Sequence, residues 1–441
     1  MTRKLIISAL LAVATTAPVF AGGLMTNTNY HIAFDRMFAR GASTEIDAAY
    51  SNPAGLAWGH EGWQLSLNFQ KPWQYRNIEA VTAAGSQKFE GKASAPIVPA
   101  LFASYKKGDW AFSTMIGIVG SGGFVEYKDG VPMFNMLMAG MLSQMGITSG
   151  YTIDSEMKGK QYIYGGQFNI TRKIGNNFSA SVGLRANYYD GYYRGHVNAG
   201  GHAQLGDLTN LALDVDQRGW GFAPIVSVNY HKGPLTIGAR YEFRTKIETE
   251  NKTNLLNADL GTNLKALLMQ TNPAALQTIA TTLDGYTAEY KDGVKTRYDM
   301  PALFVAAVGY EFTNKLRATL EYHFFDDKNA QMAGDRQKEL KHGTHEILAG
   351  VEYDINDKFT VSCGGQRTDY GLSDGYQKDT SFACDSYSVG LGGAWNINDK
   401  VRLNASYFCS LYSDYTKPAS YGSEVYSRTN HVIGVGIDYK F

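Results

Sequence analysis

The sequence lacks any uninterrupted apolar run of the length that a transmembrane helix needs, which argues against a helical membrane protein. Cysteine is scarce, since Cys363, Cys384 and Cys409 are the only three, and their spacing suits neither a disulfide framework nor a metal site. We therefore expect free thiols, with a single disulfide bridge as the alternative, and neither a metal nor a cofactor. Charge is low as well, with 19% charged residues and a formal net charge of +0. This balance gives no indication of a nucleic-acid partner.

Glycine and aromatic residues are abundant instead, with 48 Gly, 29 Tyr and 21 Phe. A soluble enzyme of this size is usually richer in charge and poorer in these residues. The combination fits strands that show one face to lipid and the other face to water.

Apolar and polar residues alternate with period two, which is typical of a β-strand with two different faces. The last residues show this most clearly, because Ile433, Val435 and Ile437 share one face with Tyr439 and Phe441. The same alternation recurs at residues 178–188, 235–243, 387–395 and 401–411. A final strand that ends in this way resembles the signal read by the barrel assembly machinery, so we expect Tyr439 and Phe441 to form that signal.

Short polar turns alternate with longer irregular segments along the chain. The short turns occupy residues 106–109, 174–177, 231–234, 313–315, 355–358 and 397–400. Outer-membrane barrels have this asymmetry, with short periplasmic turns at one end and long extracellular loops at the other. The alternating stretches number about fourteen. The sequence therefore predicts an all-β, transmembrane antiparallel β-barrel, surrounded by outer-membrane lipid and monomeric.

Two of the long segments have helical patterns. Residues 255–283 place leucine and isoleucine at helical spacing, and residues 132–147 hold five of the 13 Met of the chain. Such helices either cap the mouth of the barrel or offer an adaptable surface to hydrophobic ligands, because methionine is flexible and polarizable. The residues that we single out for first capture of a ligand are Met133, Phe134, Met136, Leu137, Met138, Met141 and Leu142.

The beginning of the chain does not follow the strand pattern. Arg3 and Lys4 precede an apolar stretch, and Val19-Phe20-Ala21 offers a signal-peptidase site, so residues 1–21 are predicted to be a cleaved signal peptide. The mature chain would then begin at Gly22.

Residues 22–60 have a mixed apolar and charged character, which favours an internal plug over a disordered tail. Pro53 has no backbone donor and disfavours a helical conformation at Asn52, so we expect a rigid turn there. Residues 61–441 form the predicted barrel.

The stretch from Asp47 to Leu56 closely resembles the hatch motif of the FadL-type transporters of long-chain fatty acids and hydrocarbons. The order of the parts is similar too: signal peptide, hatch, barrel, two helical loops and a C-terminal aromatic residue. A second Asn-Pro-Ala tripeptide, at residues 272–274, is read as chance. The hatch residues carried over from the resemblance are Asp47, Asn52, Pro53, Ala54 and Gly55.

The resemblance implies passive transport of long-chain fatty acids or other hydrophobic small molecules across the outer membrane. Apolar extracellular loops would capture the ligand, a site beside the hatch would hold it, and a kink in the third strand would open the barrel wall sideways. The corresponding strand here is residues 110–127, and glycine inside a strand allows a bulge or a bend. The glycines expected at this kink are Gly117, Gly120, Gly122 and Gly123.

A carboxylate ligand would also need a cation or hydrogen-bond donors inside the barrel. The alternation turns several arginines towards the lumen, where they either meet a ligand or pair with luminal acids and stiffen the barrel. The candidate carboxylate partners are Arg185, Arg240, Arg317 and Arg402.

Three other functions stay open on sequence alone. An outer-membrane enzyme has no support, because there is no Gly-x-Ser-x-Gly motif and the nine His show no metal-binding spacing; we expect no catalysis. A general porin is an open hole, which a hatch and apolar loops argue against. A surface-binding, adhesin-like barrel should have polar or aromatic loops rather than Met-rich ones.

Overall fold

The computed structural model of the chain describes residues 30–441, apart from the side chains of Ser121, Gly122 and Tyr286. The predicted signal peptide and the predicted mature start at Gly22 lie outside the described residues. None of the helices in the described part is long and apolar enough to cross a membrane.

Eighteen strand segments form one antiparallel sheet. Their bounds, in chain order, are β1 Gly62–Thr82, β2 Gly85–Ser94, β3 Val98–Lys107, β4 Trp110–Tyr127, β5 Thr152–Ile174, β6 Phe178–Gly200, β7 Thr209–Lys232, β8 Leu235–Glu242, β9 Glu248–Leu260, β10 Lys295–Arg297, β11 Leu303–Glu311, β12 Leu316–Phe325, β13 Thr344–Asp354, β14 Phe359–Asp369, β15 Ser386–Asn396, β16 Val401–Tyr412, β17 Tyr415–Ala419 and β18 Gly422–Lys440.

The sheet closes on itself, because β1 pairs with β18 on one side and with β2 and β3 on the other. Gln64 lies opposite Lys440 at the closing seam. Four of the wall strands are interrupted and consist of two segments each, namely β2 with β3, β8 with β9, β10 with β11, and β16 with β17. The wall is therefore a closed antiparallel barrel of 14 strands, as predicted. Closure leaves no exposed strand edge for association with other chains.

All six short turns fall where the sequence places them, at the junctions β3–β4, β5–β6, β7–β8, β11–β12, β13–β14 and β15–β16. They share one end of the barrel, which we call the turn end. The longer connections share the other end, the loop end. This confirms the predicted asymmetry of the two barrel ends.

The helices are α1 (Ile32–Met37), α2 (Ala48–Ser51), α3 (Pro132–Gln144), α4 (Thr262–Thr271) and α5 (Pro273–Thr287). Short 3₁₀ segments occur at Pro53–Trp58, Ala288–Tyr290, Asp327–Asn329 and Ala333–Glu339.

The predicted helical pattern from residue 255 onwards is wrong over its first six residues. Leu255 and Leu260 belong to β9 and pair with Asp214 and Thr209 of β7. The helical spacing of leucines there was misleading, because a long-range strand ladder overrides a local pattern. The helix begins at Thr262.

The outward face of the barrel is apolar. Val182, Leu184, Trp220 and Phe222 are 60%, 51%, 61% and 57% exposed, and they lie along the neighbouring strands β6 and β7. A contiguous apolar surface of this kind fits a hydrocarbon environment and is rare on a soluble monomer. Aromatic side chains mark the turn-end margin of this belt, including Trp63, Trp110, Tyr310, Phe312, Trp395 and Phe441.

Residues 30–60, which we call the hatch segment, fill the half of the barrel next to the turn end. Inward-facing glycines leave room for their backbone. A Cβ atom on Gly350 or Gly364 would lie only 2.3 or 2.2 Å from the carbonyl oxygen of Met37, and one on Gly390 only 2.2 Å from that of Asp35. Part of the glycine content therefore reflects close approach of one backbone to another.

Candidate functional site

Asp47, at the start of the hatch motif, is fully buried and fixes the shape of the hatch segment. Arg40 donates from Nε to its Oδ2 over 2.6 Å and from Nη2 to its Oδ1 over 2.9 Å. This two-bond contact suits a planar guanidinium group. Ser43 donates from Oγ to Oδ1 over 2.7 Å. Burial acts to lower the pKa of Arg40, but the charge of Asp47 raises it well above its usual value.

Asn52 and Gly55 belong to the same folded turn. Asn52 donates from Nδ2 to the carbonyl oxygen of Gly41 over 3.0 Å and also lies 3.3 Å from that of Val228 in β7. A Cβ atom on Gly55 would lie 2.1 Å from the carbonyl oxygen of Ser43, so no larger residue fits there. Both residues are therefore required by close packing within the turn.

Pro53 and Ala54 attach the hatch segment to the barrel wall through their backbones. The carbonyl oxygen of Pro53 accepts from Oγ1 of Thr171 over 2.9 Å. The N–H of Ala54 donates to Oγ of Ser227 over 3.1 Å, and its carbonyl oxygen accepts from Oγ of Ser179 over 2.7 Å. The motif thus docks on three consecutive strands, β5, β6 and β7.

Arg402 and Arg317, two of the candidate carboxylate partners, pair with protein carboxylates near the turn end. Arg402 lies 2.6 Å from Oε1 of Glu45 in the hatch segment. Arg317 donates from Nε to Oε1 of Glu352 over 2.7 Å and from Nη1 to Oδ2 of Asp354 over 2.7 Å. These arginines face inwards as the alternation predicts, and they contribute to an ion-pair network at the turn end.

The other two candidates surround a tyrosine of the hatch segment. Arg185 forms an ion pair with Glu242, and its Cζ lies 5.4 Å from the ring centroid of Tyr50. Arg240 donates to the carbonyl oxygen of Tyr50, with its Cζ 5.3 Å from the same ring. Both arginines therefore bind the hatch segment and the wall rather than open lumen.

Strand β4 is irregular at the glycines singled out in the sequence. It pairs with β3 as far as Gly117 and with β2 from Phe124 onwards, so the ladder on that side is interrupted in between. On its other side, the register with β5 shifts between Ile118 and Gly120 and again across residues 121–123. The wall strand is therefore bulged at the point where its neighbour consists of two separate segments.

The bulge changes which side chains face inwards. Gly123 has a φ of 70°, a left-handed conformation that favours glycine. Val119 is fully buried, and a Cβ atom on Gly165 of β5 would lie 2.5 Å from its Cγ1. The interruption is apolar, because it is lined by a buried cluster of Ala95, Val98 and Ile118.

Helices α3, α4 and α5 form one apolar cluster at the loop end. The seven capture candidates of α3 divide into two groups. Those buried against α4, α5 and the neighbouring strands are Met138, Met141 and Leu142. Those that stay half-buried are Met133, Phe134, Met136 and Leu137. The first group packs the helices together, and the second stays partly exposed to solvent.

The N-terminus of α3 is held by a carboxylate that sequence reasoning missed. The backbone N–H of Met133 donates to Oδ2 of Asp379 over 2.7 Å. The hydroxyl of Tyr426 lies 2.8 Å from Oδ1 of Asp379 and 2.6 Å from Oε2 of Glu424. Burial raises the pKa of Asp379 to about 7, and the charge of Glu424 acts in the same direction. Residues 370–385 are therefore connected to α3 by a group that titrates near neutrality.

Several solved structures share this architecture. A FadL homologue from Pseudomonas aeruginosa superimposes with a TM-score of 0.68 at 13% identity, over 95% of this chain and 100% of the other. The toluene transporter TodX of Pseudomonas putida superimposes with a TM-score of 0.60 at 13% identity, over 96% and 100%. The monoaromatic hydrocarbon channel CymD superimposes with a TM-score of 0.54 at 10% identity, over 90% of this chain and 93% of the other. The chain has the FadL-type fold. No protein-family model matches it, and no curated protein matches it.

Two features of this chain did not follow from the sequence. The glycines that face the hatch segment, such as Gly364 and Gly390, could have been found as inward glycines repeated on neighbouring strands. Asp379 carried no local signal, because its partners are distant in sequence. Across residues 30–441 no group of three or more His, Cys, Asp or Glu could hold a metal ion, and the three cysteines are free thiols.

Proposed function

We propose that the chain carries hydrophobic small molecules passively across the outer membrane. A ligand would be captured at the loop end by the half-buried side chains of α3. It would then enter the barrel above the hatch segment and leave sideways through the interruption of β4. No catalytic step is part of this proposal.

The observation that carries the proposal is the combination of a fixed hatch segment with an apolar break in the wall. The hatch segment is joined to the wall by the buried Arg36–Glu352 ion pair, by the Arg402–Glu45 ion pair and by the backbone bonds of Pro53 and Ala54. A route straight through the turn end would require these contacts to break. The interruption beside Gly117 is packed with buried apolar residues. This supports a sideways route into the hydrocarbon layer, where an apolar solute is more stable than in water.

The FadL-type neighbours support this proposal, because the solved structures include a toluene transporter and a monoaromatic hydrocarbon channel. By the same likeness we propose that the barrel is inserted in outer-membrane lipid as a single chain. Assembly machinery would recognise the last strand, in which the rings of Tyr439 and Phe441 lie 4.7 Å apart.

The test is uptake by cells that lack their own transporter and express this chain. Three labelled probes are compared: a long-chain fatty acid, toluene and a hydrophilic sugar. Uptake of either hydrophobic probe without the sugar is the expected result. Uptake of the sugar alone would make the chain a general porin, and uptake of none of the probes would leave a surface-binding role as the better explanation.

A further inference from the structure

Exposed lysines lie at the turn end of the barrel, one for each of five short turns. We call Lys107, Lys232, Lys315, Lys358 and Lys400 the turn-end lysines. Their turns join β3 to β4, β7 to β8, β11 to β12, β13 to β14 and β15 to β16. The remaining short turn follows Lys173, whose Nζ lies 4.8 Å from the ring centroid of Trp58. The positive charges are therefore spread around the whole rim of the barrel.

The geometry of the turns does not require lysine at these positions. Oδ1 of Asn356 accepts from the N–H of Lys358 over 2.9 Å, and Oδ1 of Asn398 accepts from that of Lys400 over 2.9 Å. These bonds use the lysine backbone, and every residue except proline supplies that N–H group. The lysine side chains take no part in closing these turns. The repeated presence of lysine therefore has another physical cause.

The ammonium groups of the turn-end lysines have no counter-charge among residues 30–441. None of the five forms an ion pair with a carboxylate there, whereas Lys106, in the first of these turns, pairs with Glu61 over 2.6 Å. The six short turns hold six lysines and three aspartates, so these turns are positively charged overall. An ammonium group has three N–H donors, which here can bind a group outside the chain.

The lysines that face outwards from β5 in the loop-end half of the wall are different. Nζ of Lys160 lies 2.6 Å from Oδ2 of Asp190. Nζ of Lys158 lies 3.1 Å from Oε1 of Glu126 and 2.8 Å from Oε1 of Glu156. Both of these lysines are neutralised by the protein itself. The turn-end lysines are not, so they have more to gain from an external anion.

The turn-end lysines lie next to the aromatic margin of the apolar belt. Lys107 is the register partner of Trp110, and Phe359 directly follows Lys358. Aromatic residues at such a margin lie at the level of the lipid head groups. A lysine beside them keeps its methylene groups on the apolar surface and extends its ammonium group into the phosphate layer. Because the short turns of such barrels are periplasmic, this layer belongs to the inner leaflet of the outer membrane.

We propose that the turn-end lysines bind the phosphate groups of anionic phospholipids in the inner leaflet. A ring of charges fits this partner, because lipid contacts the whole circumference of the barrel, whereas a soluble acidic protein would contact one side of it. The inference goes beyond the proposed function, since it concerns the surrounding membrane and not the transported molecule. The competing explanation is that the lysines are simply hydrated and keep the turns soluble.

The experiment measures lipid preference from the quenching of tryptophan fluorescence by brominated phospholipids. The full chain is reconstituted in phosphatidylcholine vesicles that contain either brominated phosphatidylglycerol or brominated phosphatidylcholine. Trp73→Phe and Trp220→Phe remove the outward-facing tryptophans of the loop-end half and give the reporter protein. The outward-facing tryptophans that remain, all at the turn end, are Trp63, Trp110 and Trp395.

The reporter protein should bind phosphatidylglycerol about threefold more strongly than phosphatidylcholine, because an anionic lipid is attracted to unpaired lysines at the membrane surface. Salt at about 0.5 M should remove most of this preference by screening the exposed charges.

The test variant combines Lys107→Gln, Lys232→Gln, Lys315→Gln, Lys358→Gln and Lys400→Gln. It should bind the two lipids equally, because glutamine is polar but uncharged. Lys→Arg at the same five positions should keep the preference, since arginine also binds phosphate. The matched control changes five exposed loop-end lysines that form no ion pair among residues 30–441, and it should keep the preference as well. It combines Lys92→Gln, Lys128→Gln, Lys252→Gln, Lys265→Gln and Lys341→Gln.

The same preference in the reporter protein and in the test variant would overturn the inference. Equal binding of the two lipids by the reporter protein would overturn it too. Loss of preference in the loop-end control would show an effect of net charge and not of the turn-end lysines. Heat-modifiable mobility on gels verifies that each variant is folded, and the arginine variant separates loss of charge from loss of structure. Uptake of the labelled probes is measured independently, so failure of this inference and failure of the proposed function are distinguishable.

Discussion

Arg36 of the hatch segment donates to the carboxylate of Glu352 in β13, and both side chains are almost completely buried. The same arginine donates from Nη1 to Oγ of Ser362 over 2.7 Å. Glu352 also accepts from Arg317, so one wall carboxylate neutralises two arginines. Removing the charge of Glu352 would leave Arg36 and Arg317 without their main counter-charge.

Glu352→Gln is therefore predicted to loosen the hatch segment without preventing barrel formation. Loss of one partner of a buried ion pair costs about 3–5 kcal/mol, and here the cost falls on the contact between hatch segment and wall. We expect conductance to small ions in planar bilayers, where the unaltered protein should show almost none. Barrel folding is checked by heat-modifiable mobility.

The matched control is Glu61→Gln. Glu61 pairs with Lys106 over 2.6 Å at the turn end, where the glutamate side chain is exposed. An exposed pair contributes about 0–1 kcal/mol, so this variant should stay closed. Equal conductance in the two variants, or none in either, would show that Glu352 does not hold the hatch segment shut.

The apolar surface of α3 can be tested by separating its two groups of residues. Met136→Ser changes a half-buried residue and should reduce uptake of a hydrophobic probe about fivefold at low concentration, because roughly 1 kcal/mol of apolar contact is lost. Met138→Ser changes a fully buried residue and should instead loosen the packing of α3 on α4 and α5. Uptake kinetics and limited proteolysis of the helices distinguish the two effects.

Ile355→Ser is the control for this pair, since Ile355 is 49% exposed and lies at the turn end, far from the helices. It should alter neither uptake nor proteolysis. Unchanged uptake by Met136→Ser would remove the accessible face of α3 from the capture mechanism.

The sequence was informative where a pattern is local. Strand β4 has the bounds that were predicted for it, and every short turn was placed correctly, because alternation and turn residues are read within a few positions. The luminal direction of Arg185 and Arg402 followed from the same alternation. Their partners did not, because Glu242 and Glu45 are brought to them only by the closed barrel and the folded hatch segment.

The second Asn-Pro-Ala tripeptide shows how one local pattern serves two purposes. At residues 272–274 the side chain of Asn272 accepts from the N–H of Ala275 and begins α5. At residues 52–54 the asparagine donates to Gly41 instead, and the next two residues dock on the wall. The tripeptide alone does not distinguish a helix cap from a hatch turn. Its position just before the first strand was therefore the useful signal.

The irregularity of β4 leads to a prediction about sideways release. Gly123→Val places a β-branched residue at a φ of 70°, which costs about 1–3 kcal/mol in the present conformation and favours a regular strand. Straightening of β4 would narrow the break beside Gly117. We expect uptake of a hydrophobic probe to fall at least about tenfold while binding at the loop end persists.

Gly108→Val is the matched control, because Gly108 has a φ of 57° in the short turn before β4 and open space around its Cβ position, as Gly123 has. It should lose similar stability without losing uptake. A parallel loss of uptake in both variants would attribute the effect to stability, not to the break in the wall.

The contact between Asp379 and α3 predicts a dependence on pH. The hydroxyl of Tyr426 has one proton but lies within hydrogen-bond distance of both Asp379 and Glu424, so one of the two carboxyl groups must be protonated to complete the chain. Burial raises the pKa of Asp379 to about 7, which identifies it as the protonated member. Nζ of Lys417 lies 3.5 Å from Oε2 of Glu424.

The direction of the effect follows from this raised pKa. An unfolded aspartate has a pKa of about 3.9, so the stabilising contribution of the bound proton is fully present below about pH 4 and is lost as the pH rises through about 7. Above that pH two carboxylates face one hydroxyl, and residues 370–385 should separate from β18 and from the N-terminus of α3. The amides of α3, including that of Met133, should then exchange faster at about pH 8.5 than at about pH 5.5, after correction for intrinsic rates.

Asp379→Asn should abolish this difference, because an amide accepts from Met133 and donates to Tyr426 at every pH. Asp374→Asn changes an exposed residue of the same connection and should keep the difference. If protection of α3 in the unaltered protein were the same at both pH values, Asp379 would be an ordinary structural contact. A pH dependence that survived in Asp379→Asn would instead place the titrating group elsewhere, and Asp327, whose pKa burial also raises to about 7, would be the next residue to change.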